Sequence, residues 1–169
     1  MKVLVIGSDG QLGLELQKIS NGFDSLSWTF STIKTLDLLR LKTINSFLSN
    51  INPTVIVNCA AYTNVDKAET EPKLADLINH KAVDIISKWT SAKNKKLIHI
   101  STDYVFDGLS KLPLSENSKT KPLNEYGSSK LKGEIACLKN DSNSMVIRTS
   151  WLYSSFGKNF VKTMIDLMK

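Results

Sequence analysis

Apolar positions along the chain follow two alternating periods. Four short runs are apolar on nearly every residue: KVLVI at 2–6, PTVIVNCA at 53–60, KLIHIS at 96–101 and SMVIRTS at 144–150. A fifth, SWTFS at 27–31, is weaker. Between them apolar residues recur every three or four positions. Leu12, Leu16 and Ile19 share one face of 11–20, and the same spacing runs through 38–50, 71–92, 122–139 and 159–169. Pro72 sits where a first helical turn tolerates it. Strands apolar on both faces, separated by helices, are what a parallel sheet covered on both sides requires. The pattern therefore predicts an α/β fold, a Rossmann-type doubly wound parallel sheet with right-handed crossovers. No repeat, low-complexity segment or linker interrupts it.

The punctuation between these runs carries the candidate chemistry. The first strand passes directly into GSDGQLG, with Gly7, Gly10 and Gly13 in G-x-x-G-x-x-G spacing. A glycine turn between a strand and a helix lets backbone approach a pyrophosphate, and the helix N-terminus adds free amides and positive dipole charge. About twenty residues past those glycines an NAD-binding site usually carries an acid for the ribose hydroxyl. Here the segment reads TFSTIK, and Ser31, Thr32 and Lys34 suit a 2′-phosphate better. Asp37 and Leu38 either border an adenine ring or, for Asp37, cap a helix. At the end of the third strand Ala60 and Ala61 leave room at the carboxyl edge of the sheet, where ligands bind in open α/β folds. STDY at 101–104 ends the fourth strand at that same edge. Tyr126 and Lys130 stand four apart on a helix and so share a face. An ammonium beside a phenol favours its ionised form, and the Thr102 hydroxyl can hold a carbonyl oxygen beside it.

Composition narrows the classes. With 169 residues, 41% hydrophobic and 22% charged, the chain has material for one domain with a core. It carries a net charge of +6, almost entirely from lysine; Arg40 and Arg148 are the only arginines. The lysines are scattered and not interleaved with aromatics, so no nucleic-acid partner is expected. No apolar run reaches membrane length and MKVLVIG is not followed by a long apolar segment, so a cytoplasmic protein without membrane contact is expected. Cys59 and Cys137 read as reduced core thiols, and neither His80 nor His99 has a second ligand at metal spacing, so no metal site is expected.

Together, GSDGQLG, VNCAAYTNVDKAE, STDYVFDG, NEYGSSKLKGE, RTSWLY and GKNFVKTM resemble, in order and over nearly the whole chain, the dTDP-4-dehydrorhamnose reductase family of the extended short-chain dehydrogenase/reductases. The resemblance implies reduction, by NADPH or NADH, of the C4 ketone of dTDP-4-dehydro-6-deoxy-L-mannose to dTDP-L-rhamnose. It implies Tyr126 as proton donor, Lys130 lowering its pKa and gripping the nicotinamide ribose, and Thr102 orienting the ketone. Gly7, Gly10, Gln11 and Leu12 would line the pyrophosphate, Asp37 and Leu38 the adenosine, and Ala60, Ala61 and Tyr62 the middle of the cofactor. Tyr104 and Trp151 would stand near the sugar. The family has a C-terminal substrate domain, so 1–169 reads as the NAD(P)-binding Rossmann domain alone, its last helix at 159–169 leading toward that missing part. A nucleotide-sugar partner is implied, with a homodimer as one candidate assembly. Two other readings stay open: another nucleotide-sugar reductase or epimerase, and a non-catalytic dinucleotide-binding regulatory subunit.

Overall fold

A computed structural model describes residues 1–169. Five strands, β1 (Lys2–Ile6), β2 (Ser27–Ser31), β3 (Val55–Asn58), β4 (Lys96–Thr102) and β5 (Met145–Thr149), form one sheet in the order β2-β1-β3-β4-β5. Every pairing is parallel, with Val3 opposite Trp28 and Val55, and Asn58 opposite His99. The chain first winds from β1 out to β2, then returns across β1 to β3. The order reverses between β1 and β3, and a crevice opens there at the carboxyl ends of the strands.

Helices α1 (Gln11–Ser20), α2 (Leu41–Ile51), α3 (Val65–Thr70), α4 (Pro72–Asp76), α5 (Ala82–Ala92), α6 (Glu125–Asn140) and α7 (Phe160–Leu167) make the crossovers and the tail. The core joins Leu4, Ile6 and Ile56 of the sheet to Ile44 and Leu48 of α2 and to Val83 and Ile86 of α5, all essentially without solvent contact. Leu36 and Leu38 enter it from the loop before α2, so the apolar spacing that begins at Leu38 belongs to a helix only from Leu41.

The long helical pattern at 71–92 is not one regular helix. A π-turn at Leu77–Lys81 separates α4 from α5, and α3 precedes them in the VDKAE segment. The extra residue of the π-turn turns Asn79 inward, where it is 1% exposed. Its carboxamide receives the Tyr62 amide at 2.8 Å and donates to the Tyr62 carbonyl and to Ser129 Oγ. A π-turn costs regular hydrogen bonding and is found mostly where function or packing repays it. Here it ties the segment after β3 to α6. Gly133 of α6 allows the approach, since a Cβ there would lie 2.1 Å from the Asn79 carbonyl oxygen. Helix α6 starts at Glu125, three residues later than the spacing predicts, because the Asn124 side chain caps it by accepting from the Gly127 amide at 2.7 Å.

Candidate active site

At the carboxyl edge of the sheet lies a cleft of about 770 Å³, running from the β1–α1 turn to the start of α6. Its first end is backbone. Gly7 has φ +77° and the Ala60 backbone lies 2.6 Å from where its Cβ would be, so only glycine fits. Gly13 is equally close to Ser8 and to the Gly7 carbonyl, which lets α1 seat against the turn. Gly10 is different: its Cβ would face mostly open space. The N-terminus of α1 has no side-chain cap and no acid in its first turn, which leaves its amides and dipole free for an anion. A cradle that a Cβ would fill and an uncapped helix start suit the pyrophosphate of a dinucleotide.

Beyond the turn, Ile33, Leu36, Leu38 and Leu39 make an apolar wall with Asp37 among them. Asp37 caps no helix. Its carboxylate accepts from the Leu39 amide and lies 3.5 Å from Arg40 Nε. Ser31 is buried with its hydroxyl turned to Thr35, so of the three residues expected at a 2′-phosphate it is unavailable, while Lys34 is exposed. In the middle of the cleft Cys59, Ala60 and Ala61 line the floor, but Tyr62 does not. The neighbouring Asn79 clamps the Tyr62 backbone, and the phenol is drawn out to Glu71 Oε2 at 2.6 Å. These contacts with Asn79 and Glu71 take Tyr62 away from the place the motif assigned it.

The far end is chemical. Tyr126 and Lys130 face the cleft from α6, and Thr102 faces it from the end of β4, where the sheet delivers it. The Thr102 hydroxyl caps the following short 3₁₀ turn, accepting from the Tyr104 amide and donating to Asp103 Oδ1. Ser150 holds the other oxygen of Asp103 at 2.7 Å. Lys130 is 2% exposed and donates to the Ile100 carbonyl at 2.6 Å. Burial pushes its pKa down to about 8, opposed by the charge of Glu134. The expectation that Lys130 lowers the Tyr126 phenol is not met. Burial raises that pKa, the nearby Thr102 hydroxyl pulls it back, and the neighbouring Asp103 and Tyr104 raise it further. The ammonium is turned to a backbone carbonyl instead. Tyr104 packs edge-on to Tyr126 with centroids 5.5 Å apart, and Trp151 rims the cleft at φ +52°, packed against Phe160.

Two contributors were not legible from spacing. Lys158 lines the cleft at the glycine end, brought there because Asn159 donates to the Gln11 side chain at 3.1 Å across 148 residues. Asn79 acts from behind, and its only sequence signal was polarity on an otherwise apolar helical face. No group of three His, Cys, Asp or Glu side chains is placed to hold a metal ion, and no helix is long and apolar enough to cross a membrane.

Comparison with known proteins agrees with this geometry. The family model described as the RmlD substrate binding domain matches residues 1–169. The dTDP-4-dehydrorhamnose reductase of Salmonella typhimurium is 41% identical over the whole chain. A probable dTDP-4,6-dihydroxy-2-methyloxan-3-one 4-ketoreductase of Streptomyces antibioticus is 36% identical over 98% of it. Among solved structures, a dTDP-4-dehydrorhamnose reductase from Clostridium acetobutylicum superposes with TM-score 0.94 at 38% identity, covering 99% of this chain and 59% of that one. The Bacillus anthracis enzyme, in complex with NADP, gives 0.93 at 38% identity over 98% of this chain and 59% of its own. The chain spans 57% of the length of the Salmonella relative. On sequence and on fold, it belongs to the RmlD substrate binding domain family.

Proposed function

We propose that the chain carries the cofactor-binding and catalytic half of an NAD(P)H-dependent reductase of the C4 ketone in dTDP-4-dehydrorhamnose. The observation that carries this reading is the convergence of Thr102, Tyr126 and Lys130 on one wall of a cleft whose other end is the glycine turn. When bound, the nicotinamide cofactor supplies the hydride. Gly7, Gly10 and the α1 amides would hold its pyrophosphate, with Lys158 as a counter-charge, and Lys130 its nicotinamide ribose.

The remaining work falls to side chains. Reduction of a ketone leaves charge on oxygen, and Tyr126 is placed to neutralise it. A phenol is protonated at neutral pH, which is the form a proton donor needs, and the burial of Tyr126 favours that form further. Thr102 fixes the direction of approach by hydrogen bonding the same oxygen. Lys130 keeps a positive charge close by while its pKa of about 8 stands above neutral pH. Tyr104 and Trp151 present aromatic surface at the open rim, where a sugar ring would stack. The names of the relatives support dTDP as the nucleotide. A nucleotide-sugar substrate fits a cytoplasmic site of action, and exposed Ile135 and Leu138 on α6 support a second copy as partner.

Two measurements test the reading. Nicotinamide fluorescence should rise when the chain binds NADPH, and the cofactor should be oxidised on adding dTDP-4-dehydrorhamnose. Tyr126→Phe should lower oxidation by about 10²-fold or more while NADPH affinity stays within about twofold. Full turnover by Tyr126→Phe would refute the assignment of the proton donor. Binding without oxidation by the unaltered chain would favour a dinucleotide-binding module over a complete catalyst.

A further inference from the structure

Below Lys130 on the same face of α6 stands a buried carboxylate that the mechanism above does not use. Glu134 lies one helical turn on and is 2% exposed, the same as Lys130. Two buried charges four residues apart on a helix are neighbours by construction. No ion pair joins Glu134 to Lys130 directly; the carboxylate is held from the sheet instead. Arg148 of β5 grips it with a forked pair of contacts, Nη2 to Oε2 at 2.7 Å and Nε to Oε1 at 3.0 Å. The guanidinium also donates to the Glu116 carbonyl and lies 5.0 Å above the Phe106 ring. The carboxylate is thus fixed in place from the sheet side.

We infer that Glu134, held by Arg148, is a positioning residue that supplies the enclosed negative charge keeping Lys130 ionised. This rests on the role given to Lys130 above. Around Lys130, every other facing group works against a charge or is neutral. His99 on β4 is buried, with Nδ1 accepting from Asn58 and Nε2 without a partner. Cys59 on β3 is a thiol that burial keeps protonated, with a pKa of about 12, and Tyr126 is a neutral phenol. Only the Ile100 carbonyl bonds the ammonium. An ammonium this deeply enclosed would shed its proton near neutral pH without a fixed opposite charge. Glu134 is the negative group enclosed one helical turn from it, fixed in place by Arg148 of β5, and its charge raises the Lys130 pKa.

The competing role for the pair is a brace between β5, α6 and the segment at Phe106 and Glu116. A brace would change stability but leave the ionisation of Lys130 alone. The test reads that ionisation directly, by NMR titration of the chain labelled with ¹³Cε-lysine, the Lys130 signal being identified by its loss in Lys130→Met. In the unaltered chain the midpoint should lie at about 8. In Glu134→Gln it should fall by about one pH unit or more. The alkaline limb of NADPH affinity should move down with it, and Glu134→Asp should restore much of both. Because Glu134→Gln alone strands a half-buried guanidinium, the double variant Glu134→Gln/Arg148→Met removes both charges at similar volume and should show the same fall. A midpoint unchanged in either folded variant, whatever its melting temperature, overturns the inference. If no form binds NADPH, the cofactor reading fails, and the lysine midpoint still decides this one.

Discussion

At the scale of single residues, three glycines in one turn do three different things, and substitution separates them. Gly7 and Gly13 have no room for a Cβ, whereas Gly10 has only the Gly7 carbonyl at 3.4 Å. Gly10→Val should therefore fold, with a melting temperature within a few degrees of the parent, yet lose NADPH affinity by about tenfold or more, because the added methyls stand where a pyrophosphate would approach. Gly13→Ala should act on the fold first. It forces α1 off the turn and should cost about 1–3 kcal/mol in a denaturant titration, as overpacking does. An unaltered NADPH affinity in Gly10→Val would remove the pyrophosphate from this turn. The spacing made the turn visible, but the division of labour needed the distances.

At the scale of elements, the π-turn between α4 and α5 couples the floor of the cleft to α6. Asn79 satisfies both polar groups of the Tyr62 backbone and bonds Ser129, the residue before Lys130. Asn79→Ala leaves a Tyr62 amide without its partner in a partly buried place. It should cost about 1–3 kcal/mol of stability by thermal or denaturant unfolding. Gly133→Ala presses a methyl onto the Asn79 carbonyl and should cost about as much through a different cause. Both variants should also weaken NADPH binding, since Ala60 and Ala61 move with Tyr62; unchanged binding in both would make the π-turn a matter of packing alone. The sequence pattern could not reveal this turn. Apolar spacing through 71–92 is compatible with an unbroken helix, and a single inserted residue shifts the face without breaking the run.

At the scale of the whole molecule, the enclosed Lys130 makes activity and stability respond to pH with opposite signs. Its folded pKa of about 8 lies below the ordinary 10.5. Between those values the unfolded chain binds more protons than the folded one, so stability should rise as pH rises through that window. The upper bound from this one group is about 3 kcal/mol. Over the same window the charge proposed to hold the nicotinamide ribose is lost, so NADPH affinity should fall above about pH 8. Chemical denaturation and fluorescence titration at matched pH check the two trends. A rise of affinity with pH, or a fall of stability attributable to this lysine in a Lys130→Met comparison, would contradict the placement of its charge.

What the sequence determined by itself was everything local in origin: the five strands, the order of helices between them, the glycine turn and the spacing of Tyr126 from Lys130. These follow from periodicity and steric rules that act within a few residues. The resemblance in six motifs also reached the family that the comparisons establish. The tertiary structure decided the rest. It sent Tyr62 to Glu71, buried the Ser31 hydroxyl, brought Lys158 to the glycine end through Asn159, and set Glu134 against Arg148. It also set the direction of the Tyr126 pKa, which the motif had reversed. Those outcomes depend on burial and on partners up to 148 residues away. Desolvation is a property of the packed environment, so no pattern of neighbours along the chain contains its size.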